Sequence, residues 1–145
     1  MKISTKGRYA LRLMLDLALT GNEKPVPLRD VAQRQSISDK YLEQIVTQLS
    51  RSKMVRSIRG AGGGYLLTRD PAEYTVGEIL RALEGNLAPV SCAVDGQCCE
   101  RIDRCVTVEV WSAIQDAVSG VVDNMTLADL VRRYHEKCDQ QPTQG

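Results

Sequence analysis

Between Leu28 and Leu67 the chain switches once from a helical period to a two-residue period, and that switch limits the folds open to it. Leu28, Val31 and Ala32 mark a short first helix, and Ser38 is placed to cap a second by accepting from a free N–H of its first turn. Leu42, Ile45, Val46 and Leu49 then fall at i, i+3, i+4 and i+7, an apolar stripe that anchors the second helix on the first. Lys40, Gln44, Thr47 and Arg51 form a polar stripe, with Glu43 and Gln48 beside it. Val55–Arg59 and Tyr65–Thr68 are short and β-prone, and Gly60-Ala61-Gly62-Gly63-Gly64 lies between them. The pattern is a helix-turn-helix followed by a wing, whose second helix can enter the major groove of DNA.

An amphipathic helix with a polar face is by itself most often a solvated helix. Here the wing that follows favours a DNA surface. Gln can read adenine, Glu can accept from cytosine, and Lys or Arg can reach guanine or phosphate. Arg59 stands at the entrance to the glycine tip, suited to a narrow minor groove. A nucleotide-phosphate cradle is excluded, because no Lys-Ser or Lys-Thr follows the glycines and the dinucleotide spacing breaks at Tyr65. A merely flexible hairpin is the bland alternative.

Charge supports the DNA reading. Residues 1–70 hold 13 Lys+Arg against 6 Asp+Glu, a net of +7, while residues 71–145 hold 6 against 12, a net of −6. The near-neutral total hides a first half suited to a polyanion. With 145 residues the chain has room for one domain with a core, or a small domain plus a dimerising arm. No signal peptide and no run of about 18 apolar residues is present, so a cytoplasmic protein without membrane spans is expected. Five cysteines then read as reduced thiols or metal ligands rather than a disulfide framework. An enzyme is not expected. The one histidine, His135, reads as an exposed tail residue, the carboxylates are scattered, and no Cys-x-x-Cys lies near a βαβ pattern.

Thr5 can cap a first helix ending near Gly21, with Ala10, Leu13, Met14 and Leu17 on one face and Leu11, Leu15 and Ala18 on another. A helix apolar on two sides packs between neighbours, so this one is expected to span both halves. Its basic start, Lys2, Lys6 and Arg8, suits phosphates. Pro25 and Pro27 mark the loop into the helix-turn-helix, and Asp70-Pro71 closes the wing. Thr75 to Glu78 reads as a capping box opening a helix that stops at Gly85. Four of the five cysteines follow in a long loop, the kind of segment that is functional or disordered. From about Asp103 a long helix is expected, with Trp111, Ile114, Val118, Val121 and Met125 spaced 3, 4, 3, 4. That is an a/d seam for a paired helix, internal packing being the alternative. Gly120 within it suggests a close helix crossing. Thr126 and Asp129 start a last helix, with Leu127, Leu130, Val131 and Tyr134 on its apolar side. The expected domains are a winged helix-turn-helix over 1–85, a cysteine-rich sensor loop over 86–104, dimerisation and C-terminal helices over 105–137, and a disordered tail over 138–145.

M-K-I-S-T-K-G-R-Y-A at the start, S-D-K-Y-L-E-Q in the second helix of the motif and S-I-R-G-A-G-G-G-Y-L-L in the wing resemble the bacterial Rrf-two family of transcription regulators. The resemblance runs from Met1 to about Tyr134 and takes in IscR-like and CymR-like branches. It implies a mainly α fold with a small β wing, and a homodimer on a near-palindromic double-stranded operator. The long helix would be the dimer interface and the cysteine loop the sensor. Matching positions place Lys40, Glu43 and Gln44 at bases and Arg59 in the minor groove. The candidate DNA surface also takes in Lys6, Arg8, Ser38, Tyr41, Arg51, Gly60, Gly62 and Gly63.

The IscR-like pattern implies a bound iron–sulfur cluster, [2Fe–2S], on three cysteines and a histidine. Cys92, Cys98 and Cys105 match the cysteines in order. The spacing between the last two is one residue longer unless Cys99 takes the second place, and the histidine position falls on Val108, which cannot ligate. Glu109, at i+4 from Cys105, or Cys99 is then the candidate fourth ligand. The thiols alone also allow a cluster-free regulator of cysteine metabolism controlled by thiol oxidation or a partner protein. They allow structural zinc less well, since no close Cys-x2-Cys pair is present. A winged-helix protein-interaction module is the rival from another class.

Overall fold

Ser4 starts the first helix, because its hydroxyl accepts from the Gly7 amide at 3.2 Å. The cap therefore lies one residue ahead of Thr5, whose own hydroxyl accepts from Arg8 Nη2 at 3.4 Å. In this computed structural model, which describes residues 2–94 and 99–141, helix α1 (Thr5–Thr20) buries Ala10, Leu13, Met14 and Leu17. Leu11, Leu15 and Ala18 pack on the same core from its second face. Its neighbours are α2 (Leu28–Gln35), α3 (Asp39–Arg51), α4 (Val76–Glu84) and α6 (Leu127–Asp139), so both halves of the chain lean on α1 as its two apolar faces require.

Ser36, in the left-handed region at φ 55° and ψ 45°, turns α2 into α3. Ser38 caps α3 by accepting from the Tyr41 amide at 3.2 Å. Leu42, Ile45, Val46 and Leu49 are all 0–2% exposed, and burying each such side chain contributes about 1.5–3 kcal/mol. The wing is an antiparallel pair, β1 (Val55–Ile58) and β2 (Gly64–Leu67), with Val55 opposite Leu67 and Ile58 opposite Gly64. Both strands end one residue earlier than expected. Arg59 already belongs to the turn, and Thr68 leaves the ladder because its hydroxyl donates to the Lys53 carbonyl at 2.7 Å. Val26 adds a third segment that the sequence did not suggest, exchanging backbone bonds of 3.0 and 2.9 Å with Tyr65. Only glycine fits at position 64 there, since a Cβ would stand 2.3 Å from the Val26 backbone.

The base of the wing closes on Tyr74, which is 0% exposed. Its hydroxyl donates to the Met54 carbonyl at 2.7 Å and accepts from the Thr68 and Arg69 amides, each at 3.0 Å. The Arg69 guanidinium lies over the Tyr74 ring, 4.3 Å from its centroid, and reaches Glu78 Oε1 at 2.7 Å. That ion pair explains why only half of the expected capping box forms. Thr75 accepts from the Glu78 amide at 3.0 Å, but the Glu78 carboxylate turns to Arg69. Reciprocal boxes form instead at Asp70 with Glu73 and at Thr126 with Asp129. The starts of α4 and α6 are stapled by backbone bonds, Val76 N–H to Met125 at 2.8 Å and Leu127 N–H to Tyr74 at 2.9 Å.

The long helix α5 (Thr107–Val122) begins later than Asp103, because Ile102–Arg104 form a single 3-10 turn and Cys105 is extended at φ −84° and ψ 98°. No residue of α5 is buried. Trp111, Ile114 and Val118 are half-buried, Met125 beyond its end is exposed, and Val121 is 60% exposed. The helix touches α4 and the turn Ser91–Ala93. An open apolar groove of about 460 Å³ runs beside it, lined by Ile3, Leu80, Leu87, Val118, Val121 and Val122. A Cβ on Gly120 would meet nothing within 4 Å, so the close crossing expected there is not made within one chain. Helix α6 runs to Asp139, which puts Cys138 on a helix rather than in the tail, and residues 142–145 lie outside the described residues.

Tyr74→Phe should cost about 2 kcal/mol, because it strands the Arg69 amide and removes the hydroxyl's bonds to the Thr68 amide and the Met54 carbonyl, which keep only their longer bond to each other and the Thr68 hydroxyl. Urea unfolding measures the loss, and an unchanged midpoint would remove the hydroxyl from the fold's essential contacts.

Candidate nucleic-acid interface and cysteine loop

The polar stripe of α3 faces solvent. Lys40, Glu43, Gln44, Thr47 and Arg51 are exposed, as is Ser38 ahead of them. Thr47 is turned inward on its own helix, donating to the Glu43 carbonyl at 2.7 Å. Tyr41 is half-buried, with its ring edge-on to Tyr9 at 5.7 Å, so it couples α3 to α1. The wing packs on α3 through β1, and Arg59 and Gly60 follow that strand in the open. Gly60 and Gly62, at φ 101° and 76°, make the tip reverse, and the Gly63 amide closes on the Gly60 carbonyl at 3.0 Å. At the start of α1, Lys2 and Arg8 are exposed and Lys6 is half-buried.

Behind this surface lie contacts that the periodicity did not reveal. Asp16, 5% exposed, accepts from Arg34 at 2.7 and 3.1 Å and from Gln35 Nε2 at 3.0 Å. Arg12 Nε donates to Gln35 Oε1 at 3.1 Å, its Nη2 donates to the Gln35 carbonyl, and its guanidinium lies 5.3 Å from the Tyr9 centroid. Together they fix the end of α2, and so the turn into α3, to α1. A signal was present: an aspartate in register with the apolar face of α1 asks for a buried partner. His135 is exposed on α6 and lines a cleft with Asp16 and Arg34.

The cysteines among the described residues are free thiols. Cys92 is half-buried in the Ser91–Ala93 turn, Cys99 and Cys138 are exposed, Cys105 is half-buried, and Cys98 lies outside the described residues. Among the described residues no three His, Cys, Asp or Glu side chains stand close enough to share a metal ion. Glu109 is exposed in the first turn of α5. Cys105 precedes that helix in an extended conformation, so the i+4 alignment expected between the two does not apply. The Cys105 Sγ lies 3.2 Å from Thr107 Oγ1. That hydroxyl, helped by the Val108 and Thr107 amides and by Arg101 and opposed by desolvation, holds the thiol's pKa below its ordinary value. Among the described residues, no helix is long and apolar enough to cross a membrane.

Residues 3–133 match the family model described as Rrf2, iron-dependent transcriptional regulator. The chain is 43% identical over 131 residues to the HTH-type transcriptional regulator IscR of Serratia proteamaculans, covering 90% of this chain and 79% of the relative. It is 41% identical to the Escherichia coli K12 protein of the same description, covering 90% and 80%. Among solved structures, CymR, the global cysteine regulator of B. subtilis, matches with TM-score 0.77 and 44% identity over 92% of this chain and 98% of that one. IscR of T. potens matches with TM-score 0.78 and 39% identity over 100% and 94%.

A lowered thiol pKa raises the thiolate fraction at a given pH, so alkylation of Cys105 should begin to accelerate at lower pH than for an unassisted cysteine. Thr107→Val should shift its rate–pH curve to higher pH. Peptide-mapped iodoacetamide labelling of the metal-free protein from pH 6 to 9 tests this, and coincident curves would remove Thr107 from the thiol's environment.

Proposed function

This chain belongs to the Rrf2 family and is a transcriptional regulator of the IscR and CymR type, and from that premise we propose that it acts as a homodimer on double-stranded DNA. The observation that carries the reading is the exposed polar stripe of α3 held beside a glycine-tipped wing with Arg59 at the entrance to the tip. In this reading Lys40, Glu43 and Gln44 meet base edges, with Ser38, Tyr41 and Arg51 beside them. Arg59, Gly60, Gly62 and Gly63 follow the minor groove, and Lys6 and Arg8 take phosphates. Residues 1–85 form the DNA-binding unit, 86–104 the sensor loop, and 105–137 the pairing and C-terminal helices. The uncovered apolar face of α5, with Trp111, Ile114, Val118, Val121 and Met125, meets the same face of a second copy. The proposed compartment is the cytoplasm, where free thiols persist.

The sensor chemistry follows from the donors. Four thiols within a short span of chain suit iron, and Cys92, Cys98 and Cys105 would hold a [2Fe–2S] cluster, with Glu109 or Cys99 as fourth ligand. When bound, such a cluster supplies a redox-sensitive tie across the loop. The chain's own residues do the rest: the Ser91–Ala93 turn already packs on α5, so ordering the loop there biases the helix that pairs two copies. Occupancy can change DNA affinity only through differential stabilisation of the binding conformation, typically about 1–3 kcal/mol. A second reading, a cluster-free regulator controlled through its thiols or by a partner protein, is supported by the likeness to CymR and by the assisted Cys105 thiol.

Against an operator selected from a randomised duplex pool, Arg59→Ala should lose about 1–3 kcal/mol of specific binding. Half-sites should lie about 34 Å apart, and sedimentation should give two chains per duplex. Unchanged affinity would take Arg59 out of the interface. A wild type that binds no duplex would favour a winged helix used for protein contacts.

Anaerobic reconstitution should give coloured protein containing iron and sulfide. Cys92→Ser, Cys98→Ser and Cys105→Ser should each abolish the absorbance, whereas Cys138→Ser should retain it. Cys99→Ser and Glu109→Ala should differ, the colourless variant naming the fourth ligand. Colourless wild-type protein would leave the cluster-free reading.

A further inference from the structure

Glu84 ends α4 beside Gly85, where the cysteine loop begins, yet its carboxylate serves α1. The Ser4 amide donates to Glu84 Oε1 at 3.0 Å, and the Ser4 hydroxyl donates to the same oxygen. That hydroxyl in turn accepts from the Gly7 amide. Gly7 is buried, and a Cβ there would stand 2.3 Å from Glu84 Oε1, so the first turn of α1 is shaped to admit this carboxylate. A negative charge is unfavourable at the C-terminal end of its own helix and favourable at the N-terminal end of another. Its position is therefore explained by α1 and not by α4. Ile3, the residue before the contact, is held in a small apolar cluster with Leu80, Leu87, Val118 and Val122. On the outer side of the same turn, Lys2, Thr5 and Arg8 line an open cleft of about 550 Å³.

We propose that Glu84 is a positioning residue for DNA binding. By capping Ser4 from α4, it holds Lys2, Lys6 and Arg8 in the arrangement that meets the phosphate backbone. Without it the first turn of α1 frays, and the three cations spread over conformations that must be ordered again at each encounter. The inference rests on the DNA-binding reading above and adds to it a residue that touches no DNA. It also joins the entrance of the cysteine loop to the start of α1 through one side chain.

The test compares the full-length wild type with Glu84→Ala and Glu84→Gln by fluorescence anisotropy across a salt series. Its probes are a randomised duplex pool and the duplex that the wild type selects from it. The slope of log affinity against log salt counts phosphate contacts at about 0.9 each, and partial loss of stability in a folded protein does not change it. Glu84→Ala should weaken binding to both probes about tenfold and reduce the slope by about 1 to 2. Glu84→Gln, which keeps an acceptor for Ser4, should recover most of the affinity. Lys2→Ala should weaken binding in the same direction and be non-additive with Glu84→Ala. Circular dichroism melts set a temperature at which every variant is folded. A folded Glu84→Ala with wild-type slope and affinity reduces Glu84 to a helix cap and overturns the proposal. Tighter binding overturns it too, since the carboxylate would then be repelling phosphates. If the wild type binds neither probe, the DNA reading itself falls, an outcome distinct from both.

Discussion

The Tyr74 hydroxyl is the point on which the structure closes. It joins the Met54 carbonyl, just before β1, to the Thr68 and Arg69 amides, just after β2, and so pins both feet of the wing to one buried atom. A two-stranded hairpin is marginal in water by itself. Here it is held by that hydroxyl, by Val26 along its other edge, and by α3 beneath β1. The Tyr74 carbonyl also accepts from Leu127 N–H, so one residue ties the wing to the start of α6 as well. This anchorage holds in place the hairpin that carries Arg59 at its tip.

The chain divides by how completely its elements satisfy themselves. From α1 to α4 the apolar stripes face one another, and Leu13, Met14, Leu42, Ile45 and Leu49 reach full burial. α5 does not follow this pattern. It is the one α-helix among the described residues with neither a buried side chain nor a charged or hydroxyl cap at its start, and it presents valines to an open groove. An apolar face of this kind marks a surface at which another chain or a ligand can bind. The Arg81–Asp123 pair, at 2.5 and 2.9 Å, closes the far end of α5 onto α4 and lowers the Asp123 carboxyl's pKa through the guanidinium hydrogen bond. Gly77 makes room for it, since a Cβ there would lie 2.1 Å from Asp123 Oδ1. The uncovered helix is thus fixed in direction although it is not buried.

Precision at the candidate DNA surface comes from residues that do not belong to it. Asp16, Arg34, Gln35 and Arg12 lock the turn between α2 and α3 to α1, and Tyr9 supports Tyr41 from the side. Readout of base edges tolerates little displacement of the reading helix, because the grooves offer hydrogen-bonding groups at fixed positions. A buried carboxylate with three donors is a strong way to fix that displacement, since moving Arg34 away would leave the Asp16 charge without its ion-pair partner.

Local pattern was enough for the elements themselves. The stripe Leu42, Ile45, Val46 and Leu49, the Ser38 cap, the glycine tip and the stop at Gly85 all rest on neighbours within a turn or a hairpin, so the sequence alone determined the helix-turn-helix, the wing and its family. Contacts between distant residues were decided only in three dimensions. Glu78 left its capping box for Arg69, Val26 joined the wing, Ser4 replaced Thr5 as cap with Glu84 behind it, and Cys105 stayed outside the helix it precedes. The Ser4–Glu84 contact joins residues 80 apart and Val26 meets Tyr65 across the whole helix-turn-helix, while Glu78 and Cys105 are set by a neighbour outside their own helix; periodicity carries no information about which of these groups come within about 3 Å.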